Sequence, residues 1–124
     1  MAPVLLIVED DAAMRDMLAK MLGATYTIFV APDGVRALEI LAQIGTPDGI
    51  VLDVMMPHID GFELARRIKA DHRLQRVPIL FLTAKDGALD VIAGINAGAR
   101  HYITKPFKMP DLIAHLGRMV GPRA

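Results

Sequence analysis

The chain has 124 residues, with 14 Lys and Arg balanced by 14 Asp and Glu, and it contains no cysteine. The zero net charge removes the electrostatic footprint of a nucleic-acid or membrane-surface binder, and the missing thiols exclude a disulfide framework or a thiolate metal site. The length suits one domain, expected over residues 1–124 with its core from about residue 3 to 120.

Val4–Val8 is an unbroken apolar run, expected to be a buried strand, and it ends in Glu9-Asp10-Asp11. Met14, Met17, Leu18, Met21 and Leu22 then recur at helical spacing, so a helix capped by Asp11 and closed by Gly23 is expected, with these methionines in the core. A second strand over residues 26–30 precedes a helix at about residues 34–44 with Asp33 as its cap. The third strand, Gly49–Leu52, runs into Asp53 and the turn Val54-Met55-Met56-Pro57, after which Asp60 caps a helix at about residues 61–70. A fourth strand over residues 79–82 ends in Thr83-Ala84 and leads to a helix at about residues 88–97, closed by Gly98. A fifth strand over residues 102–104 enters Lys105-Pro106, and a last helix over residues 110–119 places Pro110 in its first turn, where a missing N–H costs nothing. Residues 121–124 are expected to be unstructured.

Strands that alternate with helices in this way build a parallel sheet. Strands covered on both faces must be apolar throughout, which also accounts for the mean hydropathy of +0.38. The expected fold is a doubly wound α/β domain of flavodoxin-like (βα)5 type. It has a five-stranded parallel sheet of order 2-1-3-4-5, helices on both faces and a switch point between strands 1 and 3. Ligands bind at the carboxyl edge of such a sheet, where Glu9, Asp10, Asp53, Thr83 and Lys105 are expected to converge.

Like charges about 4 Å apart repel by roughly 4 kcal/mol at an effective dielectric near 20, so gathering Glu9, Asp10 and Asp53 demands relief. Protonation of one acid is one route. A hard cation is the other, and Mg²⁺ prefers one or two carboxylates together with waters and phosphoryl oxygens. A carboxylate can also attack phosphorus to form an aspartyl phosphate once the charge on the phosphoryl oxygens is neutralised. Lys105 suits that task, as do the Thr83 hydroxyl and the backbone N–H of Ala84. Tyr102 reads either as a half-buried strand aromatic or as a side chain that rotates between two positions. His58, His72, His101 and His115 show no ligand spacing and are expected on the surface.

These residues resemble the receiver domain of two-component response regulators, in the chemotaxis-regulator-like superfamily, over essentially the whole chain. The resemblance is carried by Leu5-Leu6-Ile7-Val8-Glu9-Asp10-Asp11, by Leu52-Asp53-Val54-Met55-Met56-Pro57 with Asp60-Gly61, by Leu82-Thr83-Ala84, by Gly98-Ala99, and by Tyr102-Ile103-Thr104-Lys105-Pro106-Phe107. It implies Asp53 as the phosphoryl acceptor. It further implies Asp10 as a direct Mg²⁺ ligand, Glu9 acting mainly through bound water, and Met55 contributing its backbone carbonyl. Thr83 and Lys105 become the switch hydroxyl and the phosphate-binding amine, Tyr102 the aromatic switch, and the Lys105–Pro106 bond cis.

The partners implied are a histidine kinase or a histidine phosphotransfer protein, and a downstream target or fused output domain reached through the surface of the fourth helix, fifth strand and fifth helix. A cytoplasmic monomer or weak phosphorylation-dependent dimer is expected, without direct nucleic-acid or membrane binding. Receivers that dimerise through that surface carry acidic and basic partners there, and this chain has Arg100-His101 and His115 instead. Met55 and Lys85 are expected to flank the route of water to the phosphoryl group and to set its lifetime. Two other readings fit less well. A phosphatase with an aspartate nucleophile needs a second aspartate where Met55 stands, and a flavodoxin-like cofactor binder needs a glycine- and hydroxyl-rich loop where Glu9, Asp10 and Asp11 would repel phosphate.

Overall fold

A computed structural model describes residues 2–84, 93, 96 and 101–120. Strands β1 (Val4–Val8), β2 (Thr27–Ala31), β3 (Gly49–Leu52), β4 (Ile79–Thr83) and β5 (His101–Thr104) form one parallel sheet of order β2-β1-β3-β4-β5. Helices α1 (Ala12–Leu22), α2 (Gly34–Ile44) and α3 (Gly61–Ala70) connect them, and a C-terminal helix spans Met109–Val120. Ala93 and Asn96 are helical; the rest of the expected helix over residues 88–97, together with Lys85, Gly98, Ala99, Arg100 and residues 121–124, lies outside the described residues.

Alternate residues of each strand point to opposite faces, which divides the interior in two. Leu6, Val8, Ile50, Leu52, Ile79 and Phe81 pack with Leu41 of α2 and with Leu64 and Ile68 of α3. On the other face Leu5, Ile7, Val51, Leu80 and Leu82 pack with Leu18 and Leu22 of α1 and with Leu112 and Leu116 of the C-terminal helix. Each such side chain, fully buried, contributes about 1.5–3 kcal/mol relative to exposure. Every residue of β3 and β4 is buried, as covering on both faces requires.

Asp11, Asp33 and Asp60 cap their helices, accepting from the backbone N–H of Ala13, Arg36 and Glu63 respectively. Gly23 closes α1 without a left-handed turn, and a Cβ there would lie 2.7 Å from the Ala19 carbonyl oxygen. The second strand begins one residue later than expected because the Tyr26 N–H still bonds the Leu22 carbonyl at the end of α1.

The methionines of α1 are a correction. Leu18 and Leu22 are buried and Met14 is partly buried, but Met17 is 40% and Met21 51% exposed. The helix is rolled about its axis so that the side carrying Arg15 and Ala19 turns toward the sheet, and the other margin of the apolar stripe faces outward. His101 and His115 are a second correction: both are half-buried against each other, whereas His58 and His72 are exposed as expected.

Candidate functional site

The carboxyl ends of β1 and β3 are adjacent in the sheet, and backbone bonds fix how each continues. The Glu9 N–H donates to the Ala31 carbonyl beyond β1, and the Asp53 N–H donates to the Val8 carbonyl, both at 3.0 Å. The acids that leave the two strands therefore meet: carboxylate oxygens of Glu9, Asp10 and Asp53 all lie within 4.8 Å of one another. Glu9 and Asp53 are buried and Asp10 is exposed.

Lys105 enters from the end of β5, where its N–H donates to the Thr83 carbonyl at 2.8 Å. Its ammonium donates to Glu9 Oε1 at 2.6 Å and to Asp53 Oδ2 at 3.1 Å. The like-charge penalty is thus met partly by a cation within the chain, a role for Lys105 that the sequence assigned only toward phosphate. Two further contacts support Glu9: the Asp11 N–H donates to Glu9 Oε2 at 3.2 Å, and Arg15 Nη1 donates to the Glu9 carbonyl at 3.0 Å. No sequence signal marks Arg15, because its reach depends on the roll of α1.

Electrostatics follow from burial. Desolvation raises the Glu9 carboxyl from 4.5 to about 7, with the Asp53 charge adding to the rise, while hydrogen bonds from Lys105 and the Asp11 N–H act against it. Partial burial works against the Lys105 ammonium, but the hydrogen bonds and charges of Glu9 and Asp53 outweigh it and raise its affinity for the proton.

Asp53 is held by its own turn. Its Oδ1 accepts from the Met55 N–H at 3.1 Å, and the Met55 side chain is 56% exposed. Gly61 opens α3 against this turn, donating its N–H to the Val54 carbonyl at 2.9 Å. A Cβ at Gly61 would collide with the Asp53 carbonyl oxygen and lie 2.8 Å from the Val54 Cα, so the turn requires glycine. Thr83 is fully buried at the end of β4, next to β3, and Ala84 beyond it is exposed. Tyr102 is half-buried, its ring edge-on to Phe81 at 5.8 Å between centroids. The Lys105–Pro106 bond is cis.

The donor set suits a hard divalent cation: three carboxylates, one of them open to water, with a buried member whose burial raises its carboxyl even beside the Lys105 ammonium. The family described as "Response regulator receiver domain" matches residues 5–117. The chain belongs to the response-regulator receiver family.

This receiver is 43% identical over 113 residues to the response regulator MprA of Mycobacterium ulcerans (strain Agy99), across 90% of this chain and 47% of that protein. The receiver thus spans about half the length of the curated relatives it matches. Among solved structures it is similar to the receiver domain of a sensor histidine kinase from Pseudomonas aeruginosa PAO1, which has a magnesium ion coordinated in its active site cleft. That likeness has a TM-score of 0.88 and 31% identity, over 98% of this chain and 100% of that one. The chemotaxis response regulator CheY4 of Vibrio cholerae gives a TM-score of 0.88 at 32% identity, over 96% of this chain and 99% of that one. This is a phosphoacceptor receiver domain of the two-component type, and its acidic cluster is placed to coordinate Mg²⁺. Among the described residues, no helix is long and apolar enough to cross a membrane.

Proposed function

We propose that Asp53 accepts a phosphoryl group from the phosphohistidine of a sensor kinase or histidine phosphotransfer protein. The observation that carries this reading is the Lys105 ammonium, in contact with both Glu9 and Asp53 inside a three-carboxylate cluster. In the transfer an Asp53 carboxylate oxygen attacks phosphorus, the P–N bond to the donor imidazole breaks as the O–P bond forms, and the departing imidazole takes up a proton. Asp10, Asp53 and the Met55 carbonyl, with Glu9 through bound water, would hold Mg²⁺, which supplies charge neutralisation to the phosphoryl oxygens.

Lys105 already lies 3.1 Å from Asp53 Oδ2, so it reaches a group bonded there without a long excursion. The Thr83 hydroxyl and the Ala84 N–H supply the remaining donors to the phosphoryl oxygens. Thr83 is drawn toward the new charge, and the Tyr102 ring, packed against Phe81 of the same strand as Thr83, shifts with it. The surface beside β5 and the C-terminal helix then presents a different shape to a downstream protein or a fused output domain. The proposal includes residues 1–124 as one domain, a cytoplasmic location, and a monomer or weak phosphorylation-dependent dimer.

The test is incubation with a small phosphoryl donor and Mg²⁺, followed by intact-mass measurement. One hydroxylamine-labile phosphate is expected on the natural chain and none on Asp53→Asn; equal labelling of both sinks the assignment.

A further inference from the structure

His101 is the first residue of β5, and His115 lies in the C-terminal helix. Their half-buried rings meet edge to face, with centroids 4.7 Å apart and planes at 87°, and His101 Nδ1 lies 2.6 Å from His115 Nε2. A neutral imidazole has one N–H and one bare nitrogen. The contact therefore holds when one of the two facing nitrogens carries a hydrogen and the other does not. With both rings protonated, two N–H groups and two positive charges would face each other with no acceptor between them.

A shared metal ion is the competing explanation, and the geometry disfavours it. At about 2.0–2.1 Å from each nitrogen, an ion would need an N–metal–N angle of roughly 80° at the observed separation, well below the tetrahedral value. Among the described residues, the group of three or more metal-binding side chains is Glu9, Asp10 and Asp53, not this pair.

The surroundings bear on the second proton. His115 shares a cavity with Tyr102 of β5, Lys108 of the preceding loop, and Asp111 and Arg118 of its own helix. In β4 the residue in register with His101 is Leu80, which does not titrate, and His101 has a further interaction besides its contact with His115. Burial first, and then the Arg118 charge, push the His115 imidazole below its ordinary value, the direction that suits it to accept the bridging hydrogen. The packing of Ile103, Phe107, Leu112 and Leu116 is apolar and carries no titrating group, so loss of the ring contact removes one tether of the helix and loosens it without detaching it.

We propose that His101 and His115 form a proton-operated clasp, which ties β5 to the C-terminal helix while the pair holds a single bridging hydrogen and opens when both rings are protonated. The clasp does not depend on the phosphoacceptor reading, since neither ring touches the acidic cluster. It brings acid sensitivity to one end of the sheet.

The experiment follows the ring C–H resonances of the whole chain from pH 8 to 4.5, together with amide exchange in the C-terminal helix. The two protonation steps are expected to be separated by at least about tenfold in proton concentration, as for any strongly coupled pair. Helix amides near Leu112 and Leu116 should exchange at least about tenfold faster at the acid end, after correction for intrinsic chemistry. The double variant His101→Asn, His115→Gln keeps an amide hydrogen bond at the same two positions and cannot titrate, so its helix should stay protected throughout. Global melting is not the readout, because Glu9 also titrates in this range. Two independent steps near the ordinary histidine value overturn the proposal, as does equal acid loosening in the double variant. So does tightening of the pair by micromolar Zn²⁺ at neutral pH. Should the double variant not fold, the titration of the natural chain decides alone.

Discussion

Lys105 and Glu9 stand 96 residues apart in sequence, and their side chains meet at 2.6 Å between the ammonium and Oε1. The contact supplies positive charge to a buried carboxylate before any phosphoryl group arrives. Replacing Lys105 by Ala leaves Glu9 and Asp53 facing each other without it, and should destabilise the Mg²⁺-free protein by about 2 kcal/mol at pH 8. The loss should shrink at pH 5.5, where Glu9 can take a proton. Urea denaturation at the two pH values measures both, and an equal loss at each would contradict the pairing.

Glu9 carries a pH signature of its own. Its carboxyl binds a proton more tightly when folded, at about 7, than its ordinary 4.5. The stability this contributes is full below 4.5 and is lost as pH rises through 7. Mg²⁺ favours the ionised carboxylates, so millimolar Mg²⁺ should raise the thermal midpoint by several degrees at pH 8 and by less at pH 5.5. Glu9→Gln should flatten that difference. A Mg²⁺ effect independent of pH in the natural chain would show that Glu9 takes no part in cation binding.

Met55 donates its backbone N–H to Asp53 while its side chain stands 56% exposed at the mouth of the site. If that side chain obstructs an attacking water, Met55→Ala should shorten the lifetime of the phosphorylated state several-fold. Folding stability should change by no more than about 0.5 kcal/mol, as for other exposed positions. Decay of the labelled species in a chase supplies the rate, and an unaltered rate refutes the shielding role.

Gly61 lies so close to the Asp53 carbonyl that one added methyl group must displace the turn. Gly61→Ala should cost about 1–3 kcal/mol, as overpacking does elsewhere, and should slow phosphoryl acceptance because the nucleophile moves. Denaturation midpoints and labelling rates report the two effects separately. A variant that is stable and fully active would mean that the turn yields cheaply.

The sheet order, the capping aspartates and the convergence of Glu9, Asp10, Asp53 and Lys105 on one edge were legible in the sequence, because apolar runs ending in polar residues fix both strand and edge. Side-chain partnerships were less so. The periodicity of α1 shows that Met14, Met17, Leu18, Met21 and Leu22 share a side, but not how far the helix rolls, so the exposure of Met17 and Met21 was hidden. Nor does local spacing reveal contacts between distant segments, such as His101 with His115 or Arg15 with the Glu9 carbonyl.

On β5, Tyr102 leans toward Phe81 on one side of the sheet, while its neighbours His101 and Ile103 belong to the side covered by the C-terminal helix. Like the other strands, β5 serves both interiors, and it does so with four residues of backbone. On the two proposals above, a proton and a phosphate, arriving by different routes, would act on the same short border strand from opposite sides.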